Sequence, residues 1–333
     1  MSTLYVSKEG AIVRVTGERV QVTLQRERLL DVPMIKVEQL VMLGRVGITS
    51  PALRALMEHQ IDIVYLSAWG KYLGRFQPPL SKNLILRKAQ FRASDDPAQA
   101  TELARGFVRG KLLNMRTLLQ RSARESAEEQ VTSAIAQLKA LSKKLPRVGS
   151  VAEVRGLEGA GTAAYFGNFN RLIKAAGWRF NSRSRRPPTD PVNALLSFGY
   201  VLLANDLMSA CQVVGFDPYV GYLHADRYGK PALALDLMEE FRPVIVDSLV
   251  LTLINKRMIA WEDVEVQPGN VHRMKDRAKR TFLRAYEERK RLEIKHPVFG
   301  YKANYRRCFE LQARILAKAL REEIEGYVPF LIK

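Results

Sequence analysis

Ala11-Ile12-Val13-Arg14-Val15-Thr16-Gly17-Glu18-Arg19-Val20-Gln21-Val22-Thr23-Leu24 alternates apolar and polar side chains on both sides of a turn signal. Alternation with period two places one face of each run on a core, so the segment predicts two strands joined by a hairpin at Thr16-Gly17-Glu18. Working outward, Leu4-Tyr5-Val6, Met34 to Leu43, Ile61 to Leu66 and Tyr72 to Phe76 predict further strands. The last two flank Ser67-Ala68-Trp69-Gly70-Lys71, a second turn signal. One helix interrupts them from Ala52 to His59, with Ser50 expected to cap Pro51 at its first position.

Pro78-Pro79 closes this region, and the period then changes. Helical spacing governs Leu80 to Phe91, Ala98 to Ser122, Glu125 to Leu141, Ser150 to Trp178, Pro191 to Gly215, Leu233 to Met258, Val271 to Arg291 and Tyr301 to Glu325. The fold class expected is α+β: a small β-rich domain over 1–78, a connector over 79–91 and a larger all-α domain over 92–333. A chain of 333 residues exceeds what one core usually organises, which agrees with two domains.

With 47% hydrophobic and 26% charged residues, wholesale disorder is excluded. Fifty-three Lys and Arg against 34 Asp and Glu leave a net charge of +19, a field that attracts polyanions, nucleic acid first. No uninterrupted apolar run reaches the roughly 18 to 20 residues that span a bilayer, and the N-terminal residues carry no export signal, so no membrane partner and a cytoplasmic location are expected. Cys211 and Cys308 lie far apart without a CxxC pattern and read as buried thiols.

Of four histidines, His224 alone sits in a turn-rich segment, Gly221 to Pro231, between helical stretches. His59, His272 and His296 read as solvated. In the following helix Asp236 and Glu239 are three apart and share a face, with Glu240 on its edge. Such like charges repel, and Arg242 is the nearest local counter-charge. Pro243 removes an N–H inside this helix and kinks it. A third acid, Glu158, lies among Gly159, Ala160, Gly161, Ala163 and Ala164, whose small size permits close backbone approach. Each acid alone has an ordinary reading as a solvated or helix-start carboxylate. Together, Glu158, His224 and Glu239 or Asp236 form a mixed nitrogen and oxygen donor set that suits Mg²⁺ or Mn²⁺ rather than structural zinc. In so basic a protein, a metal that polarises a phosphodiester is the economical use.

Basic residues cluster. Arg179 to Pro188 is a cationic loop without an acid, and Arg273 to Arg291 carries nine Lys or Arg against three acids. Tyr301 to Arg307 adds Lys302, Arg306 and Arg307 beside two tyrosines. Nothing reads as a recognition helix, so binding through phosphates and shape is expected.

Four ordered motifs carry a resemblance: Leu157 to Phe166, Arg186 to Tyr200, Gly215-Phe216-Asp217-Pro218 with Gly221-Tyr222-Leu223-His224, and Leu235 to Pro243. They resemble, across the whole chain, the CRISPR-associated endonuclease and integrase of spacer acquisition, the Cas-one family. The resemblance implies a homodimer paired through its β domains and joined by the small Cas-two protein. It also implies insertion of short foreign DNA into a repeat array: an incoming 3′-hydroxyl attacks a repeat phosphodiester, a transesterification, and water in its place cuts DNA. The family's DNA is double-stranded, branched, or carries single-stranded ends. The implied metal ligands fall on Glu158, His224 and Glu239, with Asp236 close by. Arg183, Arg185 and Arg186 are expected to hold flanking phosphates, and Tyr165 and Asn193 to line the site; for Tyr165 core packing is the alternative. The competing reading is a non-catalytic architectural nucleic-acid-binding protein. A nuclease with its acids on strands is disfavoured by the helical context of Glu158 and Asp236.

Overall fold

The computed structural model describes residues 2–77, 83–123, 128–184, 187–224 and 227–332. The chain divides into two units, Met1–Leu80 and Ser81–Lys333.

The first unit contains β1 (Ser2–Val6), β2 (Ile12–Thr16), β3 (Arg19–Leu24), β4 (Glu27–Pro33), β5 (Val37–Leu43), β6 (Gly47–Ile48), α1 (Ser50–Glu58), β7 (Asp62–Leu66) and β8 (Tyr72–Phe76). They form two four-stranded sheets, ordered β1-β5-β7-β8 and β4-β3-β2-β6. The hairpin β2–β3 turns at Gly17, whose φ of 57° suits glycine. Alternate residues Val13, Val20 and Val22 enter one core with Leu40, Met42, Leu56 and Ile63. Two strands escape the sequence pattern. β4 and β6 lack alternation and are defined by pairing with β3 and β2. Met34–Lys36, expected at the start of β5, is a 3-10 turn, and α1 is capped by Thr49, which accepts from Ala52 N, rather than by Ser50.

The second unit is built on α2 (Leu84–Asp95), α3 (Pro97–Ala123), α4 (Glu129–Lys144), α5 (Val151–Gly167), α6 (Pro191–Val214), α7 (Ala232–Phe241) and α8 (Ser248–Asn255). α2 takes up most of the expected connector. Helix ends follow their side chains: Asp190 caps α6 ahead of Pro191, and Gly215 closes it in the left-handed region at φ 109°. Contrary to the expectation from apolar runs, α6 is long and apolar enough to cross a membrane, but most of it is buried within the fold. Between α7 and α8, Arg242–Asp247 winds as a wider π turn at Pro243, where an N–H is missing.

The unit is not wholly helical. β9 (Val264–Gln267) pairs with β10 (Val271–Met274), so the helix expected from Val271 begins only at α9 (Asp276–Arg291). β11 (Glu293–Lys295) pairs with β12 (Lys302–Asn304), and Asn304 caps α10 (Tyr305–Leu320). These strands are three or four residues long, too short for a period to show. Both cysteines are buried thiols outside any disulfide.

Candidate active site

Ser150 starts α5 with a capping box, accepting from Glu153 N while Glu153 reaches back to the Ser150 backbone. Two turns later Glu158 faces α3. Gly161 makes that approach possible, because a Cβ there would collide with Leu112 of α3. On the buried stripe of α3, between Phe107 and Met115, the side chain is Lys111, only 2% exposed.

Lys111 Nζ pairs with Glu158 Oε1 and lies 2.7 Å from Glu239 Oε2. Thr162 Oγ1 also donates to Glu158 Oε1, at 2.9 Å. Glu239 Oε1 is 3.2 Å from Arg242 Nη2 and 3.7 Å from His224 Nε2. Burial alone pushes the Glu239 carboxyl up, but Arg242, then Lys111 and His224, outweigh it and hold the group at about 2. Glu239 is therefore ionised at neutral pH.

Asp236 organises the histidine. Its Oδ2 accepts from Tyr222 N at 2.6 Å and Leu223 N at 2.9 Å, and its Oδ1 from His224 N at 3.0 Å. Three successive backbone N–H groups thus converge on one carboxylate. His224 Nδ1 stands 2.6 Å from the same Oδ1, which sets a proton on Nδ1 and turns Nε2 toward Glu239. Gly221 admits this packing: a Cβ there would come within 2.8 Å of Asp236 Oδ2 and of Ala232. From α5, Arg155 Nε donates to Leu223 O at 2.5 Å and holds the loop from the other side.

Glu158 and Glu239 are therefore linked through Lys111, and His224 joins them through Glu239. Glu240, one residue on, faces away: its carboxylate accepts from Gln312, the Tyr327 hydroxyl and Phe330 N. Among the described residues no three acidic, His or Cys side chains close around one point as they stand. Lys111 takes the central place. The donor chemistry nonetheless fits a divalent ion, since two hard carboxylates already share a positive charge and an imidazole nitrogen stands beside one of them.

A protein-family model described as CRISPR associated protein Cas1 matches residues 4–288. The chain belongs to the Cas1 family. A CRISPR-associated endonuclease Cas1 of Moorella thermoacetica is 37% identical, covering 100% of this chain and 99% of that protein. A namesake in Thermus thermophilus is 41% identical over 99% of this chain and 95% of its own length. Among solved structures, a casposase bound to integration product superposes with a TM-score of 0.85 at 26% identity, covering 98% of this chain and 93% of the other.

In this Cas1 family member, several residues expected at the site lie elsewhere. Tyr165 is fully buried, donates to Asp247 Oδ2 at 3.0 Å and packs on Phe166 and Phe169. Asn193 is equally buried: its Oδ1 accepts from Arg183 Nη1 at 2.7 Å and from Ser184 N at 3.0 Å, and its Nδ2 donates to Ser182 O. Neither offers a surface to DNA, because each spends its polar atoms inside the fold. Arg183 also donates to Ser197 Oγ at 3.0 Å and lies 5.3 Å from the Tyr200 ring centroid, so it braces the cationic loop from within. Arg185 and Arg186 lie outside the described residues. His59 is exposed, but His296 is buried, and burial pushes its pKa down.

Sequence reading missed Lys111 and Asp247. A lysine on the apolar stripe of α3 was the available signal. Asp247 accepts from Tyr200 at 2.5 Å as well as from Tyr165, and Arg242 stacks on Tyr200 with 4.7 Å to the ring centroid, tying the π turn to Glu239.

Proposed function

We propose that this Cas1 family member is a divalent-metal-dependent DNA endonuclease and integrase of the cytoplasm that inserts short foreign DNA into a CRISPR array. The observation that carries this reading is the Glu158–Lys111–Glu239 cluster with His224 Nε2 turned toward Glu239. Glu158, Glu239 and His224 are the residues that would hold Mg²⁺ or Mn²⁺, which supplies Lewis-acid polarisation of a phosphodiester. Membership in the family and the casposase similarity support strand transfer as the reaction. A 3′-hydroxyl oxygen bonds to phosphorus while a repeat-strand P–O bond breaks, so the number of phosphodiester linkages is conserved; water as nucleophile leaves a cut strand.

The chain's own groups prepare this chemistry. Asp236 holds the His224 imidazole in one tautomer and orientation. Arg242 and Lys111 keep Glu239 ionised and so ready as an oxygen donor. The net charge of +19 gives the field that collects DNA.

Two partners complete the reading. A second copy joins through the β-rich unit, supported by the edge strand β8, which leaves Leu73 and Phe76 exposed beside Trp69. The small Cas2 protein joins on the strength of family membership.

The deciding experiment compares Glu158→Ala, His224→Ala and Glu239→Ala with the unaltered protein in Mn²⁺. Strand transfer and cleavage are expected to vanish while DNA affinity and its salt slope persist. Retention of both reactions in all three variants overturns the proposal. If the unaltered protein binds DNA with a steep salt dependence and forms no metal-stimulated product, it is an architectural protein instead.

A further inference from the structure

The hairpin of β11 and β12 carries the loop His296-Pro297-Val298-Phe299-Gly300-Tyr301, which plays no part in the acidic cluster. The loop is built to keep its shape. His296, 1% exposed, accepts at Nδ1 from Val298 N at 3.3 Å and Phe299 N at 3.4 Å. Its backbone N–H donates to Tyr301 O and its carbonyl accepts from Gly300 N, both at 2.8 Å, and Gly300 turns at φ 73°. The His296 ring packs on Phe330 at 5.7 Å between centroids, and Phe330 on Phe241 at 4.8 Å, two residues beyond Glu239. A row of rings thus connects the loop with the end of α7.

On this fixed base, Phe299 is 43% exposed and Tyr301 48% exposed. Their rings lie 5.7 Å apart and within 19° of parallel, with Val298 and Leu292 exposed nearby. Aromatic side chains dominate burial energetics, so two of them held rigidly in water mark a contact surface. Charge shows which contact. Register places Lys295 directly opposite Lys302, and like charges so paired destabilise a hairpin. Glu293 lies on the same face two pairs further along, opposite Asn304, and does not separate the two lysines. Lys295 Cε reaches within 3.9 Å of where a Cβ on Gly300 would stand, so its ammonium lies along the loop. An anion bridging the two lysines removes the repulsion.

We propose that this hairpin is a binding site for single-stranded DNA, in which Phe299 and Tyr301 stack on bases and the Lys295–Lys302 pair takes a backbone phosphate. Planar rings in parallel beside paired cations match a strand whose bases are unstacked, whereas duplex DNA hides its base faces. The inference rests on the DNA reading above and names a strand state that reading does not assign to any residue.

The test uses the full chain with a fluorescent single-stranded oligonucleotide containing 2-aminopurine, and a duplex closed by a hairpin at each end as control. Phe299→Ala combined with Tyr301→Ala is expected to weaken single-strand binding by about 5- to 100-fold and to abolish 2-aminopurine quenching. Duplex binding and duplex cleavage are expected to stay within about twofold of the unaltered protein, since duplex DNA offers no base face to stack. Tyr301→Phe keeps the ring and retains quenching. Lys302→Ala lowers the single-strand salt slope by about 0.7, one phosphate, without loss of thermal stability. Unchanged single-strand affinity in the double variant overturns the site, and so does a loss of self-association in its place, which assigns the surface to a second copy. If the unaltered protein binds no DNA at all, the parent reading falls too. If it binds and cuts duplex while the variants hold single strands equally well, only the hairpin site is lost.

Discussion

His224 Nδ1 and Asp236 Oδ1 stand 2.6 Å apart, and the same carboxylate gathers the backbone N–H groups of Tyr222, Leu223 and His224. Asp236 is thus the residue that shapes the histidine loop, while Glu239, one turn further along α7, faces the acidic cluster. Asp236→Asn keeps the size but puts a donor where an acceptor is needed. Mn²⁺ affinity, measured by calorimetry, is expected to fall by about 10- to 100-fold, as for other outer partners of ligating histidines.

Lys111 pairs with two carboxylates at once, the half-buried Glu158 and the buried Glu239. Lys111→Met leaves Glu158 and Glu239 without it, and breaking such a buried pair costs about 3–5 kcal/mol. In chelator, the denaturant midpoint should drop accordingly. Mn²⁺ should raise the midpoint of the variant more than that of the unaltered protein, because the ion replaces the missing charge.

Gly161 marks where α5 and α3 touch. Gly161→Ala drives a methyl group into Leu112, an overpacking that costs about 1–3 kcal/mol. Urea unfolding reads the loss directly. Gly159→Ala meets open space and should be neutral or slightly stabilising.

Burial pushes the Asp247 carboxyl up to about 6 from its ordinary 3.8, although hydrogen bonds from Tyr200 and Tyr165 and the charges of Arg242 and Arg183 pull it back. Between those two values the folded chain holds a proton that the unfolded chain has released. This group's contribution to stability therefore falls as pH rises from about 4 to 6 and levels off above. Asp247→Asn stays neutral. The difference in unfolding free energy between variant and unaltered protein should shift in the variant's favour across that window, and stay constant from pH 7 to 8.

Sequence alone determined the division into a β-rich and a mainly helical region. Period two and period 3.6 are local patterns, written within each element whatever it packs against. It also singled out Glu158, His224 and the acidic run of α7 by residue type and setting. Tertiary structure decided which acid does what. Asp236, Glu239 and Glu240 are three and four positions apart on one helix, near enough in angle that spacing cannot separate them. Packing sends Asp236 to the histidine loop, Glu239 to Lys111 and Glu240 to Tyr327 and Phe330. The same holds for Lys111, a charge held by Glu158 and Glu239 far away in sequence, and for His296, whose ring is covered by Phe330. Ion pairs and burial arise between segments brought together only by folding, so no local period can announce them.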